Sequence, residues 1–267
     1  MLRLEGLSKW FAKGTVNEVQ ALDGLDLEVG TGEFVCVIGS NGAGKSTLLN
    51  CVAGTYPPDK GRILLAGEDI GGRPEFKRAR LIGRVFQDPL LGTCASMTIE
   101  ENMALANRRG KRRTLRPGIR DLERERFREA LSKLGLGLED RLKDKAGLLS
   151  GGQRQALTLL MATLVRPTIL LLDEHTAALD PKTAGLIMDL TRDLVEGGKL
   201  TTIMITHNMQ QALSFGGRLV MMHRGKVLLD YSGSEKERLT VQDLLRHFHE
   251  ANPLIPDNGV TDRMVLG

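Results

Sequence analysis

One glycine-rich stretch constrains the fold of this chain more than any other feature, and it consists of Gly39, Ser40, Asn41, Gly42, Ala43, Gly44, Lys45 and Ser46, with Thr47 behind them. The apolar run 33–38 before it is typical of a buried strand, and residues 46–53 after it have helical character. A glycine-rich turn between a strand and a helix N-terminus lets backbone N–H groups converge on phosphate oxygens, because glycine tolerates positive φ and has no Cβ. The stretch therefore predicts an α/β fold that binds a nucleoside triphosphate.

The two polar residues at the end of this phosphate loop, which we define as residues 39–47, have separate expected roles. Lys45 is expected to reach the β- and γ-phosphates, and the Ser46 hydroxyl is expected to bind Mg²⁺. A glycine-rich loop that merely turns the chain is the alternative. The position between a strand and a helix favours the phosphate site.

The composition is that of an ordinary globular protein. A chain of 267 residues suits one large domain, or a core with a subdomain. It has no apolar run long enough to cross a bilayer, and its N-terminus lacks the apolar core of a signal peptide. Its three cysteines are too few and too scattered for a disulfide framework or a zinc site, so a reducing cytosol is the expected compartment. The net charge of +4 is weak support for a nucleic-acid or membrane partner.

The first 30 residues alternate apolar and polar side chains, which predicts two antiparallel strands. Between these strands lie Trp10 and Phe11, two adjacent aromatic residues in a chain with 4% aromatic residues. One of them could stack on an adenine ring, which is worth roughly 1–3 kcal/mol per base. Core packing explains the pair equally well on pattern alone.

After the phosphate loop, the pattern predicts strands at 62–67 and 81–86, and Gln87 follows the second of them. An uncharged amide at a strand end near the phosphates could sense Mg²⁺ or the attacking water. From Thr98 onward the strand signal is weak, and a threonine followed by acidic residues is typical of a helix N-terminus. We therefore interpret residues 89–160 as a helical insertion in an α/β chain.

A basic stretch without acidic residues runs from Asn107 to Arg120 and contains Arg108, Arg109, Lys111, Arg112, Arg113, Arg116 and Arg120. A solvated, mobile loop is the favoured interpretation. Contact with anionic lipid headgroups is the second, since each basic residue near such a surface contributes about 1 kcal/mol. Nucleic acid is the third, and the lack of interleaved aromatic residues weakens it.

A second glycine-containing segment precedes the apolar helix predicted at 156–165, and it consists of Ser150, Gly151, Gly152 and Gln153. A Ser-Gly-Gly sequence at a helix N-terminus is an anion site by the same physics as the phosphate loop. A simple N-cap with a tight turn is the alternative.

The apolar run 168–172 ends in two carboxylates, Asp173 and Glu174, which predicts a central parallel strand buried on both faces. Ligands of α/β sheets bind at the carboxyl ends of the strands, so these carboxylates are expected beside the phosphate loop. Successive strand residues point to opposite faces. One carboxylate can therefore serve a metal ion while the other polarises water.

The remaining chain continues the α/β pattern. Asp180 and Pro181 are typical of a helix start, and His207 follows a strand predicted at 200–206, where it is expected to face the γ-phosphate. A hairpin is predicted from 218–223 and 226–230, followed by an amphipathic helix at 241–249 and a polar tail with Pro253 and Pro256.

The order and spacing of these motifs resemble the ATP-binding subunits of ABC transporters over residues 1–231. The matching motifs are the phosphate loop, Gln87, Leu149-Ser150-Gly151-Gly152-Gln153, Asp173-Glu174, Ala178-Leu179-Asp180 and His207. The resemblance implies a P-loop NTPase (RecA-like) core with an antiparallel β subdomain and an inserted α-helical subdomain. The core is then expected at 1–88 and 161–231, the helical subdomain at about 89–160, and a C-terminal helix and tail at 232–267.

The resemblance also implies a role for each motif residue. Glu174 matches the general base, His207 the switch residue on the γ-phosphate, and Phe11 the adenine-stacking aromatic position. Lys45 and Gln87 complete the implied catalytic group, and the Mg²⁺ positions match Ser46, Gln87 and Asp173. The implied ATP contacts comprise the phosphate loop, Phe11, Gln87, Asp173 and His207, and from a second subunit Ser150, Gly151, Gly152 and Gln153.

By the same resemblance, the chain is expected to form a homodimer or heterodimer of ATP-binding subunits. Binding of ATP and Mg²⁺ closes such a dimer and drives transmembrane permease subunits from the cytoplasmic face of the membrane. An extracytoplasmic solute-binding protein is an implied indirect partner, and nucleic acid is not a partner.

Three residues depart from the common pattern of the family: His175 replaces a proline, and Ala156 and Met161 replace frequent arginines. None of them removes a reacting group. We define residues 150–153 as the signature segment. The stretches 148–159 and 173–180 resemble a bacterial subgroup of predicted tryptophan/tyrosine-type amino-acid uptake systems. A soluble ABC-type ATPase in cofactor assembly or another non-transport role is the alternative function.

Overall fold

The computed structural model describes residues 1–111 and 118–251. Its strands are β1 (Leu2–Phe11), β2 (Val19–Val29), β3 (Phe34–Gly39), β4 (Lys60–Leu65), β5 (Glu68–Asp69), β6 (Ile82–Val85), β7 (Ile169–Asp173), β8 (Thr202–Ile205), β9 (Arg218–His223) and β10 (Lys226–Ser232).

The α-helices of the same residues are α1 (Lys45–Ala53), α2 (Glu75–Arg78), α3 (Ile99–Asn107), α4 (Asp121–Ser132), α5 (Gly151–Leu164), α6 (Pro181–Gly198), α7 (Met209–Ser214), α8 (Gly233–Glu237) and α9 (Val241–Ala251). A 3₁₀ turn, Ala146–Leu148, precedes α5. Among the described helices, none combines the length and the apolarity needed to cross a membrane.

The described residues form two compact units. The first unit consists of Met1–Arg78 together with 199–251, and the second consists of Ala79–Gly198.

The first unit contains an antiparallel sheet in the order β2-β1-β4-β5. β1 pairs with β2 from Leu2 opposite Val29 to Phe11 opposite Val19. Leu2, Leu4 and Leu7 of β1 are buried, while Arg3 between them is exposed. The alternating pattern of the first 30 residues therefore predicted both strands and their antiparallel pairing correctly.

The first unit also contains the strand order β10-β9-β3-β8. β3 is parallel to both of its neighbours, β8 and β9, and all six of its residues are buried. β9 and β10 form the predicted hairpin across Arg224 and Gly225, whose φ angles of 46° and 78° suit a two-residue turn with both central residues at positive φ.

Arg78 closes the carboxyl end of α1 in the first unit. Its guanidinium donates to the carbonyl oxygens of Cys51 and Val52 at 2.7 and 2.9 Å, and also to those of Arg73 and Gly71. The side chain is 1% exposed, and burial lowers the pKa of the guanidinium. The helix that follows the phosphate loop is thereby fixed at the end opposite the loop.

In the second unit, β6 and β7 are parallel, with Val85 opposite Leu172. Apolar residues from α3, α4, α5 and the segments between them form one core, which includes Met103, Phe127, Leu131 and Leu157. Thr98 caps α3 as predicted, since its hydroxyl accepts from the Glu101 N–H and the Glu101 carboxylate accepts from the Thr98 N–H. The helical character expected in this part of the chain is confirmed.

The basic stretch is only partly a solvated loop, so our favoured interpretation was wrong for one of its residues. The Arg109 guanidinium is half-buried and donates to the carbonyl oxygens of Ala162, at 2.8 Å, and Val165 at the end of α5. These carbonyls have no partner within their own helix, which is why a cation is stabilising there. Arg120 precedes α4 and pairs with Glu123. Arg112, Arg113 and Arg116 lie outside the described residues.

The predicted C-terminal helix is α9, which extends two residues beyond the expected end at His249. Its Leu244 and Phe248 are fully buried, as the amphipathic pattern requires. The short helix α8 before it was not predicted, and Lys236 in α8 is buried because its ammonium donates to the carbonyl oxygens of Phe215 and Gly216. Pro253 and Pro256 of the tail lie outside the described residues.

Candidate functional site

The phosphate loop connects β3 to α1 in the first unit, as predicted. Two of its glycines are required by close backbone approaches. Gly39 has a φ of 153°, and a Cβ there would lie 2.3 Å from the Met222 carbonyl oxygen. Gly44 has a φ of 97°, and a Cβ there would lie 2.4 Å from the Ala21 carbonyl oxygen. The loop is therefore fixed against its neighbours by positions that only glycine can occupy.

Lys45 begins α1, and its side chain is directed back over the phosphate loop. The Nζ donates to the carbonyl oxygen of Gly39 at 2.7 Å and to that of Ser40 at 3.2 Å, and the residue is 7% exposed. Asn41, Gly42 and Ser46 are exposed around it. A buried ammonium inside a loop of backbone amides is suited to phosphate oxygens, which can replace the two carbonyls as acceptors.

His207 follows β8, and β8 lies beside β3. The pairing places Ile205 opposite Val37, and the Thr206 N–H donates to the Val37 carbonyl oxygen at 3.2 Å. Because parallel strands end at the same edge of a sheet, the half-buried His207 lies at the edge from which the phosphate loop begins.

Both aromatic candidates are half-buried at the end of β1. The Phe11 ring packs edge-on against Tyr56, with a centroid distance of 5.2 Å. The Lys13 and Lys60 ammonium groups lie 4.9 and 5.5 Å from the centre of the Trp10 ring. Packing against a neighbour thus occupies part of each ring and leaves part of each accessible.

The two carboxylates lie at the carboxyl end of β7 in the second unit. Asp173 is the last residue of the strand, and its Oδ2 lies 3.5 Å from Nη2 of Arg84 on the neighbouring β6. Glu174 has a φ of 44°, a left-handed conformation that is uncommon for a residue with a side chain and is often found at functional sites. Gln87, two residues after β6, is exposed. Asp173 and Gln87 therefore lie at the carboxyl ends of neighbouring parallel strands, at the same edge.

His175, where the family pattern has proline, is buried. Its Nε2 lies 2.9 Å from the Thr191 hydroxyl of α6, and that hydroxyl donates to the Ile187 carbonyl oxygen. Since the hydroxyl proton is engaged, the Nε2 must be the donor to Thr191. Burial lowers the pKa of His175 to about 4, so the ring is neutral at physiological pH.

The signature segment forms the N-terminus of α5. The Ser150 hydroxyl accepts from the Gln153 N–H at 3.2 Å, and the Gln153 side chain accepts from the Ser150 N–H at the same distance. Gly151 is exposed, whereas Gly152 is buried so closely that a Cβ would lie 2.2 Å from Cγ2 of Thr183. Ser150 is therefore the N-cap of this 14-residue helix, which was the alternative interpretation of the sequence. The N-terminus of a helix is also an environment that favours an anion.

Gln155 is a buried residue that we did not predict. Its Nε2 donates to the carbonyl oxygen of Phe86 at 2.9 Å and to that of His175 at 2.7 Å, and the side chain is fully buried. Phe86 directly precedes Gln87, and His175 directly follows Glu174. The sequence signal was a polar residue on the buried face of an apolar helix, which normally indicates a specific hydrogen-bond partner.

The candidate metal ligands are all oxygen donors: the Asp173 carboxylate, the Ser46 hydroxyl and the Gln87 amide oxygen. Mg²⁺ prefers oxygen ligands and commonly binds through one or two protein oxygens, substrate phosphates and water. Asp173 is 15% exposed and Ser46 is exposed, so neither oxygen is sealed inside the core. Each of these oxygen donors is therefore chemically suited to Mg²⁺.

The buried His175 predicts an acid-sensitive stability. In the unfolded chain the imidazole has its ordinary pKa of 6.5, whereas the folded protein binds that proton only near pH 4. The stabilisation is therefore fully present above pH 6.5 and is lost progressively as the pH falls toward 4. Between pH 7 and pH 5 this group alone is expected to lower the free energy of unfolding by about 2 kcal/mol.

Urea unfolding of the wild type and of His175→Gln at both pH values measures this effect. Glutamine can still donate to Thr191 but does not titrate. Between pH 7 and pH 5 the variant should therefore lose about 2 kcal/mol less of its free energy of unfolding than the wild type. Equal losses in the two proteins would contradict the assignment of a neutral, buried imidazole.

Comparisons with known proteins agree on one family. The sequence model of the ABC transporter family matches residues 22–177. The chain is 45% identical to the tyrosine transport ATP-binding protein of Clostridioides difficile, over 94% of this chain and 100% of that relative. It is 36% identical to the phosphonates import ATP-binding protein PhnC 1 of Rhodopseudomonas palustris, over 90% of this chain and 88% of that relative.

Solved structures give the same result. The fold is similar to that of a dimeric ATP-binding cassette in a post-hydrolysis state with bound ADP and Pi, with a TM-score of 0.74 and 30% sequence identity. The similarity covers 87% of this chain and 98% of that one. The fold expected from the sequence, an ABC-type P-loop ATPase, is thereby confirmed.

Proposed function

The chain belongs to the ABC transporter family, and from this premise we propose that it is the motor subunit of a bacterial importer of amino acids or similar small solutes. It binds and hydrolyses ATP, as the cassettes of this family do. The observation that carries the proposal is the 45% identity, over the full length of the relative, to a protein named for tyrosine transport. We propose an aromatic amino acid as the first candidate for the transported solute.

The proposed chemistry is the transfer of the γ-phosphoryl group of ATP to water. Glu174 polarises the attacking water and accepts its proton, and Lys45 neutralises charge on the β- and γ-phosphates. His207 contacts the γ-phosphate, and Phe11 stacks on the adenine. Most of the rate acceleration comes from positioning and electrostatic stabilisation, since phosphoryl transfer needs little covalent help from the protein.

Mg²⁺ fits this chemistry, and we propose that Ser46, Gln87 and Asp173 hold it, Asp173 mostly through water. When bound, the ion neutralises phosphate charge. Arg84 is close enough to the Asp173 carboxylate to fix its orientation, while leaving carboxylate oxygen available.

We propose that two copies, or this chain and a related subunit, form a dimer in which each ATP lies between two chains. The phosphate loop of one chain holds the ATP, and Ser150, Gly151 and Gly152 of the other close over it, with Gln153 beside them. The dimeric cassette with bound ADP and Pi supports this arrangement. It also gives a role to both of the glycine-containing helix N-termini of one chain, those of α1 and α5, each of which favours an anion.

The proposed partners in the membrane are permease subunits, with an extracytoplasmic solute-binding protein as an indirect partner. The chain would then be a peripheral protein of the cytoplasmic face of the membrane. We retain residues 1–231 as one ATPase domain with a helical subdomain at about 89–160 that contacts the permease. Leu90 and Leu91, which are 61% and 66% exposed just after Gln87, support a protein contact there.

Co-purification from the native cell tests this function. The tagged chain is solubilised with its membranes in mild detergent, and the bound proteins are identified. A polytopic membrane protein that stimulates the ATPase activity of the chain supports the proposal. A soluble partner, with no membrane protein bound, would favour an ATPase of cofactor assembly instead.

A further inference from the structure

Gln155 connects three segments of the second unit through one side chain. Its amide nitrogen reaches the Phe86 carbonyl oxygen at 2.9 Å and the His175 carbonyl oxygen at 2.7 Å. β6 ends at Val85 and β7 ends at Asp173, so both acceptors lie just beyond the paired part of their strands. Carbonyls that lie beyond the paired part of a strand need another donor, and Gln155 supplies it from α5.

The orientation of the amide is fixed by chemistry. Two carbonyl oxygens can only accept hydrogen bonds, so the group that faces both of them must be the NH₂ of the glutamine. The Oε1 atom is buried and has no hydrogen-bond partner among the described residues. The side chain therefore contributes two donors and leaves one buried acceptor unsatisfied, which is unfavourable unless the two donated bonds are needed.

The two carbonyls belong to segments that carry reacting groups. Phe86 directly precedes Gln87, and His175 directly follows Glu174. The backbone of Glu174 has a φ of 44°, which persists only if its surroundings hold it. Before Glu174, the chain is held by the pairing of β7 with β6. After Glu174, Gln155 binds the His175 carbonyl oxygen and Thr191 binds the His175 ring.

The same helix begins with the signature segment. Gln155 lies five residues after Ser150, which corresponds to about 7.5 Å along an α-helix. Arg154, next to Gln155, fixes the N-terminal turn by donating to the carbonyl oxygens of Ala146 and Gly147. A displacement of the first turn of α5 must therefore move the Gln155 amide, and with it the two carbonyls that the amide holds.

We propose that Gln155 is a positioning residue. When ATP contacts the signature segment of a chain, Gln155 places Gln87 and Glu174 of the same chain in position for catalysis. This inference rests on the proposed dimer, because the signature segment of each chain then contacts the ATP bound by the other. ATP in one site positions the general base of the neighbouring site through α5. Hydrolysis at the two sites is coupled as a result, and Gln155 carries that coupling.

A purely structural role would have a different outcome. If Gln155 only satisfied buried carbonyls, its replacement would lower the stability of the second unit and leave the two ATP sites coupled as before. A test must therefore separate loss of stability from loss of coupling, and α5 offers a matched control. Thr158 is also buried, and its hydroxyl donates to the Arg154 carbonyl oxygen at 2.9 Å within the same helix.

The experiment compares the full-length wild type with Gln155→Met and Thr158→Val. Methionine keeps the length of glutamine without its donors, and valine keeps the shape of threonine without its hydroxyl. For each protein the kcat, the KM for ATP, the Hill coefficient of ATP hydrolysis and the melting temperature are measured. If Gln155→Met does not fold, Gln155→Glu takes its place, since it keeps the size and polarity but removes the NH₂ group.

We expect Gln155→Met to lower kcat by about 10-fold or more, with KM within about threefold of the wild type, because the reacting groups are misplaced after ATP has bound. The Hill coefficient should fall to about 1, the value for independent sites. Thr158→Val should keep the kcat and the Hill coefficient of the wild type, even if its melting temperature falls as far as that of Gln155→Met. A kcat and a Hill coefficient for the Gln155 variant equal to those of Thr158→Val would overturn the inference.

The wild type and Glu174→Gln separate this inference from the proposed function. A wild-type chain that hydrolyses ATP with a Hill coefficient of about 1 would refute the coupling and leave the ATPase assignment intact. Turnover that survives in Glu174→Gln would instead contradict the proposed catalytic residues.

Discussion

Replacement of Glu174 by glutamine is expected to lower the turnover number for ATP hydrolysis by about 10²- to 10⁴-fold, the range usually lost with a general base. Glutamine has the shape of glutamate but cannot accept the proton of the attacking water. ATP binding should be retained, because the phosphate loop and its ammonium, Lys45, are unchanged. Phosphate release at saturating ATP measures the turnover, and a fluorescent ATP analogue measures the binding.

Glu129→Gln is the matched control for this prediction. Glu129 lies on α4 with its side chain 74% exposed and pairs with Lys133 at the surface, so the same chemical change there should leave turnover unaltered. If Glu174→Gln hydrolyses ATP as fast as the control, the general base must be another residue.

Replacement of Lys45 by alanine is expected to weaken ATP binding by about 10- to 100-fold. A charge-assisted hydrogen bond of this kind contributes about 1.5–3 kcal/mol. The buried ammonium is held by the Gly39 and Ser40 carbonyl oxygens, both of which belong to the phosphate loop. Alanine therefore removes the charge and also the contacts that tie α1 to the loop. Titration calorimetry with ATP gives the dissociation constant.

The control for Lys45→Ala is Lys77→Ala, which makes the same change in charge at an exposed position of α2. It should bind ATP like the wild type, because a single surface charge far from the ligand is largely screened. Wild-type affinity in Lys45→Ala would contradict the assignment of residues 39–47 as the phosphate loop.

Much of the fold followed from local patterns in the sequence. The phosphate loop was predictable because glycines at 39 and 44 stand where a side chain would collide with the neighbouring backbone. The hairpin of β9 and β10 was predictable because a two-residue turn with glycine interrupts two apolar runs. The caps of α3 and α5 were predictable because a hydroxyl and a carboxylate or amide three residues apart form a capping box.

What the sequence did not predict are polar side chains whose partners lie far along the chain. Gln155 bonds to the carbonyl of a residue 69 positions away, and Arg109 bonds to one 53 positions away. Backbone carbonyls carry no sequence signature, so no local pattern indicates that a given arginine or glutamine will bind them. Arg109 was therefore assigned to a solvated loop, although it closes the end of α5.

The burial of His175 as a neutral ring also could not be predicted from the sequence pattern. Its position in the family motif showed a departure from proline, but its burial depends on α6, where Thr191 provides the hydroxyl partner. A histidine with such a partner can be buried in its neutral form, whereas the same residue in a solvated turn would titrate normally. Only the packing distinguishes the two cases.

Light scattering of Glu174→Gln with and without ATP, alone and combined with Gly151→Asp, shows whether ATP is bound between the phosphate loop of one chain and the signature segment of another. Gly151 is exposed in the first turn of α5, where an aspartate suits the helix but repels a phosphate. We expect an ATP-dependent dimer for Glu174→Gln and a monomer for the double variant. A double variant that dimerises with ATP as well as Glu174→Gln alone would contradict it.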